Sequence, residues 1–436
     1  MARHTLLTKN SLWLSGTVCH DHDNELFVQK TIDVGLFKVY IVPWRIEMNM
    51  NFRLFLWGAI ALHLLSGAIV NAQLLPYGQI NLVTDSQAAN PAVITDASLV
   101  NPWGVSFSPS SPFWVSNNGT GTATLYRVDP LTNVPIKQAL TVTIPGAGNV
   151  TGQSFNSTPA GNFNGDNFLF VSEDGTISGW RGALGTTAEV LQLADVNNVY
   201  KGSAVITNGG NSYLLSANFR SGSINVLKGN AGAPNLAGNF TDPGTPNGFA
   251  PFNIKQLGTK IYVTYAKQAA NQFDDLPGPG NGFVSSFDLN GVFLGRIASQ
   301  SVLNSPWGLA IAPASLGGLA GDLLVGNFGD GRINVYDLSN NSLVGQLMDS
   351  GGSPLAIDGL WALTVGNDGN GGSSNNLYFT AGPSNESHGL FGMIQSVPEP
   401  GVMALTGLGV ISVFLAGAKF RRSRRRRRKS GTVPGV

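Results

Sequence analysis

The stretch Leu323–Asn334, "LLVGNFGDGRIN", joins a short apolar run to a turn rich in Asn, Asp and Gly. Apolar runs of this length, ended by residues that tolerate a positive φ, are typical of buried strands joined by tight turns. The same pattern recurs five more times, with 44 to 62 residues between consecutive copies. The other copies are "FWVSNNGT" at Phe113, "LFVSEDGT" at Leu169, "YLLSANFRSG" at Tyr213, "IYVTYAKQ" at Ile261 and "LYFTAGPSNES" at Leu377. Six copies predict a repeat architecture of six units.

Each unit contains four short strands. In the first unit they are "GVSFSP", "FWVSN", "ATLYRV" and "ALTVTI", separated by Pro, Gly or Asn. Four strands in every ~50 residues predict the blade of a β-propeller, and closing six blades into a ring protects their strand edges. The strand "QINLVTD" at Gln79 precedes the first unit, so we expect it to complete the last blade. The predicted fold is an all-β six-bladed propeller over residues 73–396; a sandwich pair or a β-helix is the alternative.

The composition agrees with a strand-and-turn body. Charged residues make up 12% of the chain, and 56 of its 436 residues are Gly. The segment Gln73–Ser396 carries 11 basic and 19 acidic residues, a net charge of −8. A mildly acidic body argues against nucleic acid as a partner. The single cysteine, Cys19, excludes an intrachain disulfide.

Residues 48–72, "MNMNFRLFLWGAIALHLLSGAIVNA", have the layout of a secretory signal peptide. Arg53 supplies the positive region and Leu54–Val70 the apolar core. We expect cleavage after Ala72, which leaves Gln73 as the mature N-terminus; a retained membrane helix is the alternative. Residues 1–47 then precede a normal signal, so we interpret them as a translation start assigned too early, with a genuine extension as the alternative.

The C-terminal end carries three features in a fixed order. Val397, Pro398, Glu399 and Pro400 come first, followed by Gly401–Ala418, 18 residues without a charge. As a helix this run is about 27 Å long at about 1.5 Å per residue, close to the hydrocarbon thickness of a bilayer. Residues 419–429 include nine Lys or Arg, and 430–436 form a short end expected to be disordered. The basic block predicts a cytoplasmic tail and a body outside the membrane.

This tail resembles the PEP-CTERM sorting signal of Gram-negative bacteria. The resemblance implies that an exosortase processes the protein at Val397–Pro400, after a transient stage as a membrane-anchored precursor. It also implies an exported product at the cell surface or in the extracellular matrix, among exopolysaccharide and biofilm components.

The body resembles NHL-type propeller repeats in "NPWGVSFSP", "SPWGLAIAP" and "DGLWALTVG". It is also similar to a family of exported bacterial six-bladed propellers. The residues that carry this likeness are "DPGTPNGFAPFN" (Asp242–Asn253), "YVTYAKQ" (Tyr262–Gln268), "LLVGNFGDGRIN" (Leu323–Asn334) and "FTAGPSNESHGLFG" (Phe379–Gly392). The likeness implies the fold and export, and no particular activity.

The search for catalytic chemistry excludes several classes of site. After signal removal the chain retains one histidine, His388, and no cysteine. Zinc sites of His and Cys and cysteine nucleophiles are therefore excluded. The sequence contains no G-x-S-x-G elbow and no phosphate-binding loop. No catalytic residue is predicted. The loops Asn162–Asn167 and Gly366–Gly372 are compatible with calcium coordination or with simple turns.

The candidate binding residues follow from the geometry of a propeller blade. In a four-stranded blade, the start of the first strand and the loop after the second strand lie on one face. We therefore expect a ligand-binding rim there, formed by Trp103, Asn117, Phe252, Trp307, Trp361 and His388. Sugar rings pack on aromatic faces and amide side chains bind hydroxyls, which predicts a neutral glycan such as an exopolysaccharide. The alternative is that the tryptophans wedge between blades as core.

Two functions remain open from the sequence. The favoured one is a non-catalytic binding or matrix module, sorted by an exosortase. The alternative is an enzyme that resembles the calcium-dependent lactonases, whose six-bladed rings hold a metal in the channel. In that case Glu173, Asn218 and Asn327 are the expected calcium ligands, since a hard cation takes oxygen donors.

Overall fold

The structure is a computed structural model that describes residues 14–20, 26–34, 37–39, 76–147 and 149–397. The first three ranges are strands β1 (Leu14–His20), β2 (Leu26–Val34) and β3 (Phe37–Val39), which form a small antiparallel sheet. They fall in the segment that the sequence assigned to an upstream extension. The predicted signal peptide, its cleavage site at Ala72–Gln73 and the tail from Pro398 onward lie outside the described residues. No helix among the described residues is long and apolar enough to cross a membrane.

Six sheets, called blades 1 to 6 here, follow one another along the chain. Blade 1 contains β6 (Pro102–Ser106), β7 (Phe113–Asn117), β8 (Thr122–Val128) and β9 (Pro135–Thr143). Blade 2 contains β10 (Val150–Phe155), β11 (Phe168–Ser172), β12 (Ile177–Trp180) and β13 (Glu189–Gln192). Blade 3 contains β14 (Tyr200–Asn208), β15 (Asn211–Asn218) and β16 (Ser223–Lys228). Blade 4 contains β17 (Phe249–Leu257), β18 (Lys260–Lys267), β19 (Gly282–Phe287) and β20 (Phe293–Ser299). Blade 5 contains β21 (Pro306–Ile311), β22 (Leu323–Asn327), β23 (Ile333–Asp337) and β24 (Ser342–Gln346). Blade 6 contains β25 (Leu360–Val365), β26 (Leu377–Ala381), β27 (Leu390–Ser396), β4 (Tyr77–Thr84) and β5 (Ile94–Thr95). Short 3-10 turns occupy Asn118–Thr120, Phe163–Gly165, Gly182–Leu184 and Ala314–Leu319.

The six blades form a closed ring. The first strands of neighbouring blades contact one another in the order β6, β10, β14, β17, β21 and β25, and β25 returns to β6. These strands surround a central channel. Blade 6 is completed by β4, which pairs antiparallel with β27 from Tyr77↔Ser396 to Thr84↔Leu390. The fold is therefore the predicted six-bladed β-propeller, closed by the strand that precedes the first unit.

Blade 3 departs from the four-strand prediction. It contains three strands, and the chain continues from β16 through "GNAGAPNLAGNFTDPGTPNG" at residues 229–248. Pro lacks the N–H that a ladder needs, and Gly stabilises a strand poorly. The composition of this segment therefore accounts for the missing fourth strand.

Every pair of neighbouring blades shares its own apolar core. Successive side chains of a strand point to opposite faces, so one strand serves two cores. In β15, Leu214 packs with Val171 of blade 2, whereas Leu215 packs with Ile254 of blade 4. The second strand of each blade is thus buried on both faces, which explains why the recurrent run is apolar throughout rather than alternating.

The first strands approach one another too closely for side chains at certain positions. A Cβ added to Gly104 would lie 2.7 Å from Thr151 O, and one added to Gly152 would lie 2.6 Å from Ser203 N. Glycine permits this approach because it has no Cβ. The glycine in "PWG" is therefore required by the narrow centre of the ring.

Candidate functional site

The strand register brings the predicted site positions to one face of the ring. The first residue of the first strand pairs with the last residue of the second strand, as in Pro102↔Asn117, Tyr200↔Asn218 and Pro306↔Asn327. We call this side, which bears the starts of the first strands and the loops after the second strands, the mouth face. The order of strands in the sequence predicts that these positions lie together, and the register of the strands agrees.

The predicted aromatic residues fill the channel at the mouth face. Trp103 stacks on Trp361 at 3.5 Å between ring centroids, and Trp307 meets both rings edge-on. Phe252 packs beside Trp361, and Phe328 stacks on its other side at 3.9 Å. We call these five rings the aromatic plug.

The plug corrects the expected role of the tryptophans. Trp103, Trp307 and Trp361 are only 3%, 4% and 1% exposed, and Phe252 is fully buried. Stacking on a sugar requires an exposed ring face, and these rings cover one another instead. The alternative that the sequence left open, tryptophan as core, describes their position.

The predicted asparagines end the second strands of three blades and stabilise the turns that follow. Asn117 Nδ2 donates to Thr122 Oγ1 at 3.1 Å and to Thr124 Oγ1 at 3.0 Å. Asn218 Oδ1 accepts from Val199 N at 3.1 Å, and Asn327 Nδ2 donates to Val302 O at 2.8 Å. All three side chains are buried. Each of them therefore bonds within its own blade, while Asn117 Oδ1 has no hydrogen-bond partner among the described residues.

His388 joins the closing strand to blade 6. Its Nδ1 lies 2.8 Å from Asp85 Oδ2, and Gly389 N donates to Asp85 Oδ1 at 2.9 Å. Asp85 directly follows β4. The contacts of His388 therefore support ring closure at the edge of the mouth face.

A polar network surrounds the plug. Trp361 Nε1 donates to Asn101 Oδ1 at 3.0 Å, and Asn101 Nδ2 donates to Glu386 Oε2 at 2.5 Å and to Asn118 Oδ1 at 3.2 Å. Asn118 Nδ2 donates to Glu173 Oε2 at 3.3 Å, and Lys201 Nζ donates to Glu173 Oε1. This chain of contacts, the mouth network, runs from blade 6 through blades 1 and 2 to blade 3.

Lys201 lies against three aromatic rings as well as a carboxylate. Its Nζ is 4.9 Å from the centroid of Phe273, 5.1 Å from that of Trp103 and 5.8 Å from that of Phe219. The side chains of Lys201 and Glu173 are 3% and 9% exposed. Ring faces attract a desolvated cation, so the rings and Glu173 together hold this buried charge.

Two further carboxyl groups at the mouth face hold protons more strongly than usual. Burial raises the pKa of Glu386 above its ordinary value, while the hydrogen bond from Asn101 opposes the rise. Burial also raises the pKa of Asp275. Glu173 and Asp275 raise the pKa of Glu386 further, because nearby like charges disfavour ionisation. Lys201 opposes the rise of the pKa in both Glu386 and Asp275, because a nearby cation favours the ionised carboxylate.

The expected calcium ligands do not form a free donor set. Lys201 neutralises Glu173, and Asn218 and Asn327 are held in separate turns. No group of three or more His, Cys, Asp or Glu among the described residues is placed to hold a metal ion. These residues do not fit a calcium site, and no catalytic step is derived from one.

The two loops compatible with calcium serve as turns. In Asn162–Asn167, Asp166 accepts from Arg181 Nη1 at 2.8 Å, and burial raises the pKa of Asp166 to about 6. In Gly366–Gly372, Asn367 Oδ1 accepts from Gly369 N and Gly371 N. These contacts close each loop on itself or on a neighbouring arginine.

The channel behind the plug contains a cavity of ≈ 400 Å³. All six first strands line it, and Trp307 of the plug lies on its wall. Polar side chains contribute much of the lining, namely Ser106, Gln153, Ser154, Ser203, Asn253, Lys255, Gln256 and Thr364. Ligand pockets of proteins are typically about 300–1,000 Å³, so this cavity has room for a small metabolite.

Lys201 and Lys255 were not among the residues predicted from the sequence. Lys201 precedes Gly202 as Trp103 precedes Gly104, and as Trp307 precedes Gly308. Aligning these "x-Gly" pairs would have placed Lys201 in the channel. The sequence contains no such signal for Lys255, because its place in the cavity depends on six strands that meet only in the folded ring.

Sequence comparison identifies relatives in a mimivirus. The chain is 33% identical over 330 residues to "Uncharacterized protein R648" of Acanthamoeba polyphaga mimivirus, which covers 71% of this chain and 78% of the relative. The chain belongs to the R648 family. A second mimivirus member, "Uncharacterized protein L690", is 32% identical over 318 residues, 69% of this chain and 81% of that protein. These members of the R648 family are viral, whereas the resemblance noted in the sequence implied a bacterial family. No protein-family model matches the chain.

Solved structures of several activities share limited similarity with the propeller. An aldose sugar dehydrogenase of Streptomyces coelicolor matches 73% of this chain and 98% of its own at 13% identity, with a TM-score of 0.42. An alpha-L-arabinofuranosidase of Fusarium graminearum matches 74% of this chain and 98% of its own at 11% identity, with a TM-score of 0.46. Similarity at this level carries no argument about function.

Proposed function

We propose that this protein is a non-catalytic binding module that is exported to the cell surface, and that its ligand occupies the channel cavity. The observation that supports this is the cavity itself, a space of ≈ 400 Å³ bordered by all six blades and rich in hydroxyl and amide groups. The mouth face supports a ligand less well, because the aromatic plug fills it.

The lining favours binding over catalysis. Of the described residues that line the cavity, Lys255 is the one ionisable side chain. General acid–base catalysis generally uses a positioned donor and acceptor of protons, and nucleophilic catalysis an activated nucleophile beside a base. Hydroxyl and amide groups without such a pair recognise a ligand and leave it unchanged.

A ligand screen on two forms of the protein tests the proposal. Ligand-observed NMR with a library of monosaccharides, sugar acids and disaccharides is expected to yield binders that emerge chemically unchanged after incubation. Val105→Phe, which adds a ring to the cavity wall, should abolish their binding. Val190→Phe on the exposed face of β13 is the matched control. Binding that survives Val105→Phe, or a converted ligand, contradicts the proposal.

Export and sorting form the second part of the proposal. The support is the order of signals in the sequence together with the position of Val397 at the end of the ring. The last strand ends at Ser396, and Val397 N donates to Pro76 O at 2.7 Å, so both ends of the ring lie side by side. A sorting motif that begins at Val397 follows the folded body without a spacer.

Intact mass of the mature protein tests sorting. We expect a product from Gln73 to near Pro400 in a host with a matching exosortase, absent from the cytoplasm. Deleting Val397–Lys429 should leave the body soluble and mislocalised. Recovery of the mature protein with its arginine tail contradicts this part of the proposal.

A further inference from the structure

Lys255 projects across the cavity. It lies on β17 in blade 4, and its Nζ donates to Leu363 O on blade 6 at 2.6 Å. The side chain therefore extends past blade 5 on the inside of the ring. An ammonium group carries three N–H donors, so two donors of Lys255 remain after this bond.

No counter-ion for Lys255 lies within the described part of the ring. The cavity lining contains no carboxylate, and none of the described ion pairs involves this lysine. Lys255 is half-buried. Removing a charge from water without giving it a partner is unfavourable, and this desolvation lowers the pKa of Lys255 to about 8. At neutral pH the group is still mainly cationic. An anion in the cavity would supply the missing partner.

Other polar atoms of the lining are also without partners. Ser106 Oγ and Gln153 Oε1 are buried and form no hydrogen bond with any described residue. Ser154 Oγ and Ser203 Oγ lie 3.1 Å apart and bond to each other. Buried polar groups are normally satisfied by protein, water or ligand. Ser106 Oγ and Gln153 Oε1 have almost no accessible surface, whereas each hydroxyl of the Ser154–Ser203 pair keeps hydrogen-bonding capacity that a ligand hydroxyl can use.

We propose that the cavity binds a hydroxylated monocarboxylate of monosaccharide size, with its carboxylate on Lys255 and its hydroxyl groups on Ser154 and Ser203. This inference rests on the proposed function, which places the ligand in the cavity, and it names the ligand class. It replaces the neutral glycan expected from the sequence by a sugar acid. The net charge of the body opposes anions only over long range, and such repulsion is screened beyond about 10 Å at 0.1 M salt.

Calorimetric titration of the full chain in a non-ionic detergent provides the test. The probes are D-glucuronate, D-glucose and D-glucose 6-phosphate, which share a ring and differ in the anionic group. We expect D-glucuronate to bind more tightly than the other two. Lys255→Gln should weaken D-glucuronate binding by about tenfold or more, as expected for a lost charge-assisted hydrogen bond.

Lys260→Gln is the matched control, because it removes the same charge from the same hairpin at an exposed position outside the cavity. The affinity of the native protein for D-glucuronate should decline between pH 7 and pH 9 as the Lys255 amine loses its proton. The affinity of Lys255→Gln should not change over this range, since the titrating amine is gone. Thermal unfolding verifies that each variant is folded.

The outcomes separate the inference from the proposed function. Equal binding of D-glucose and D-glucuronate, insensitive to Lys255→Gln but abolished by Val105→Phe, overturns the inference and leaves the cavity as the site. Preference for D-glucose 6-phosphate identifies a phosphate ester as the anion and overturns the carboxylate. Absence of binding by all three probes overturns the inference as stated, whatever the wider screen yields.

Discussion

Lys201 holds a buried charge among aromatic rings, and its partner Glu173 depends on it. We predict that Lys201→Met lowers the free energy of unfolding by about 3–5 kcal/mol, because it leaves the Glu173 carboxylate buried without a cation. The double variant Lys201→Met with Glu173→Gln should lose less than Lys201→Met alone. Chemical denaturation of the three proteins measures both effects.

Lys260→Met serves as the control for that series, since this lysine is exposed and makes no described ion pair. A Lys201→Met variant as stable as the control would show that the pair contributes nothing. A double variant less stable than Lys201→Met would show that Glu173 is held by something else.

Glu386 should make the free energy of unfolding decrease as the pH rises. A carboxyl whose pKa is raised on folding retains a proton that the unfolded chain has lost, so the folded state loses stability as the pH rises. The window begins near the ordinary value of 4.5 and extends upward through the raised pKa. Glu386→Gln keeps an acceptor for Asn101 and removes the charge. We therefore predict that it unfolds at a higher temperature than the native protein at pH 8.

At pH 4 the two proteins should unfold at closely similar temperatures, because the native carboxyl is protonated there. Asp275 titrates in the same direction and remains in both proteins, so the difference between them isolates Glu386. A native protein that gains stability relative to Glu386→Gln as the pH rises from 4 to 8 contradicts the assignment.

Single residues also show how much of the candidate site the sequence alone could predict. It placed Trp103, Trp307 and Trp361 on one face, because strand order and alternation decide which end of a blade a residue occupies. It left their exposure open, because that depends on whether rings from opposite blades meet across the channel. The same reason hid Lys255, whose environment is made by strands more than a hundred residues away.

At the scale of elements, the recurrent second strand was the strongest signal in the sequence. Its burial on both faces gives a run of apolar residues that a turn then ends, and this pattern repeats in all six blades. The closing role of β4 followed from counting strands. The missing strand of blade 3 was not predicted, since the expectation of four strands was extended to a segment rich in Gly and Pro.

The pairing of β4 with β27 predicts tolerance to circular permutation. Joining the chain near Pro76 and Val397, whose backbones share a hydrogen bond, and opening it between Gly209 and Gly210 keeps every strand in its blade. The opened turn connects β14 to β15 and is exposed. We expect the permuted protein to unfold in one cooperative transition near the temperature of the native ring.

Deleting Tyr77–Thr84 is the contrasting variant, because it removes the partner of β27 and the buried side chains of Leu82 and Val83. An exposed strand edge pairs readily with other chains, so this variant should aggregate. A deletion variant that stays monomeric with an unchanged unfolding temperature would show that β4 does not close the ring.

At the scale of the whole molecule, the propeller concentrates its unusual chemistry in the channel. The mouth face is closed by aromatic rings and a buried charge network, and the cavity behind it contains a lysine that has no counter-ion among the described residues. A ring of six blades suits such a site, because each first strand contributes a few side chains to one shared space. The export signals proposed at the two ends would place this site outside the cell.

A crystal structure of the protein grown with saturating D-glucuronate tests this account most directly. The account predicts density for one ligand between the six first strands, with its carboxylate within hydrogen-bonding distance of Lys255 Nζ and the aromatic plug unchanged. A ligand bound on the mouth face or on the outer strands, with the cavity holding water alone and Lys255 bonded as before to Leu363 O, would contradict it.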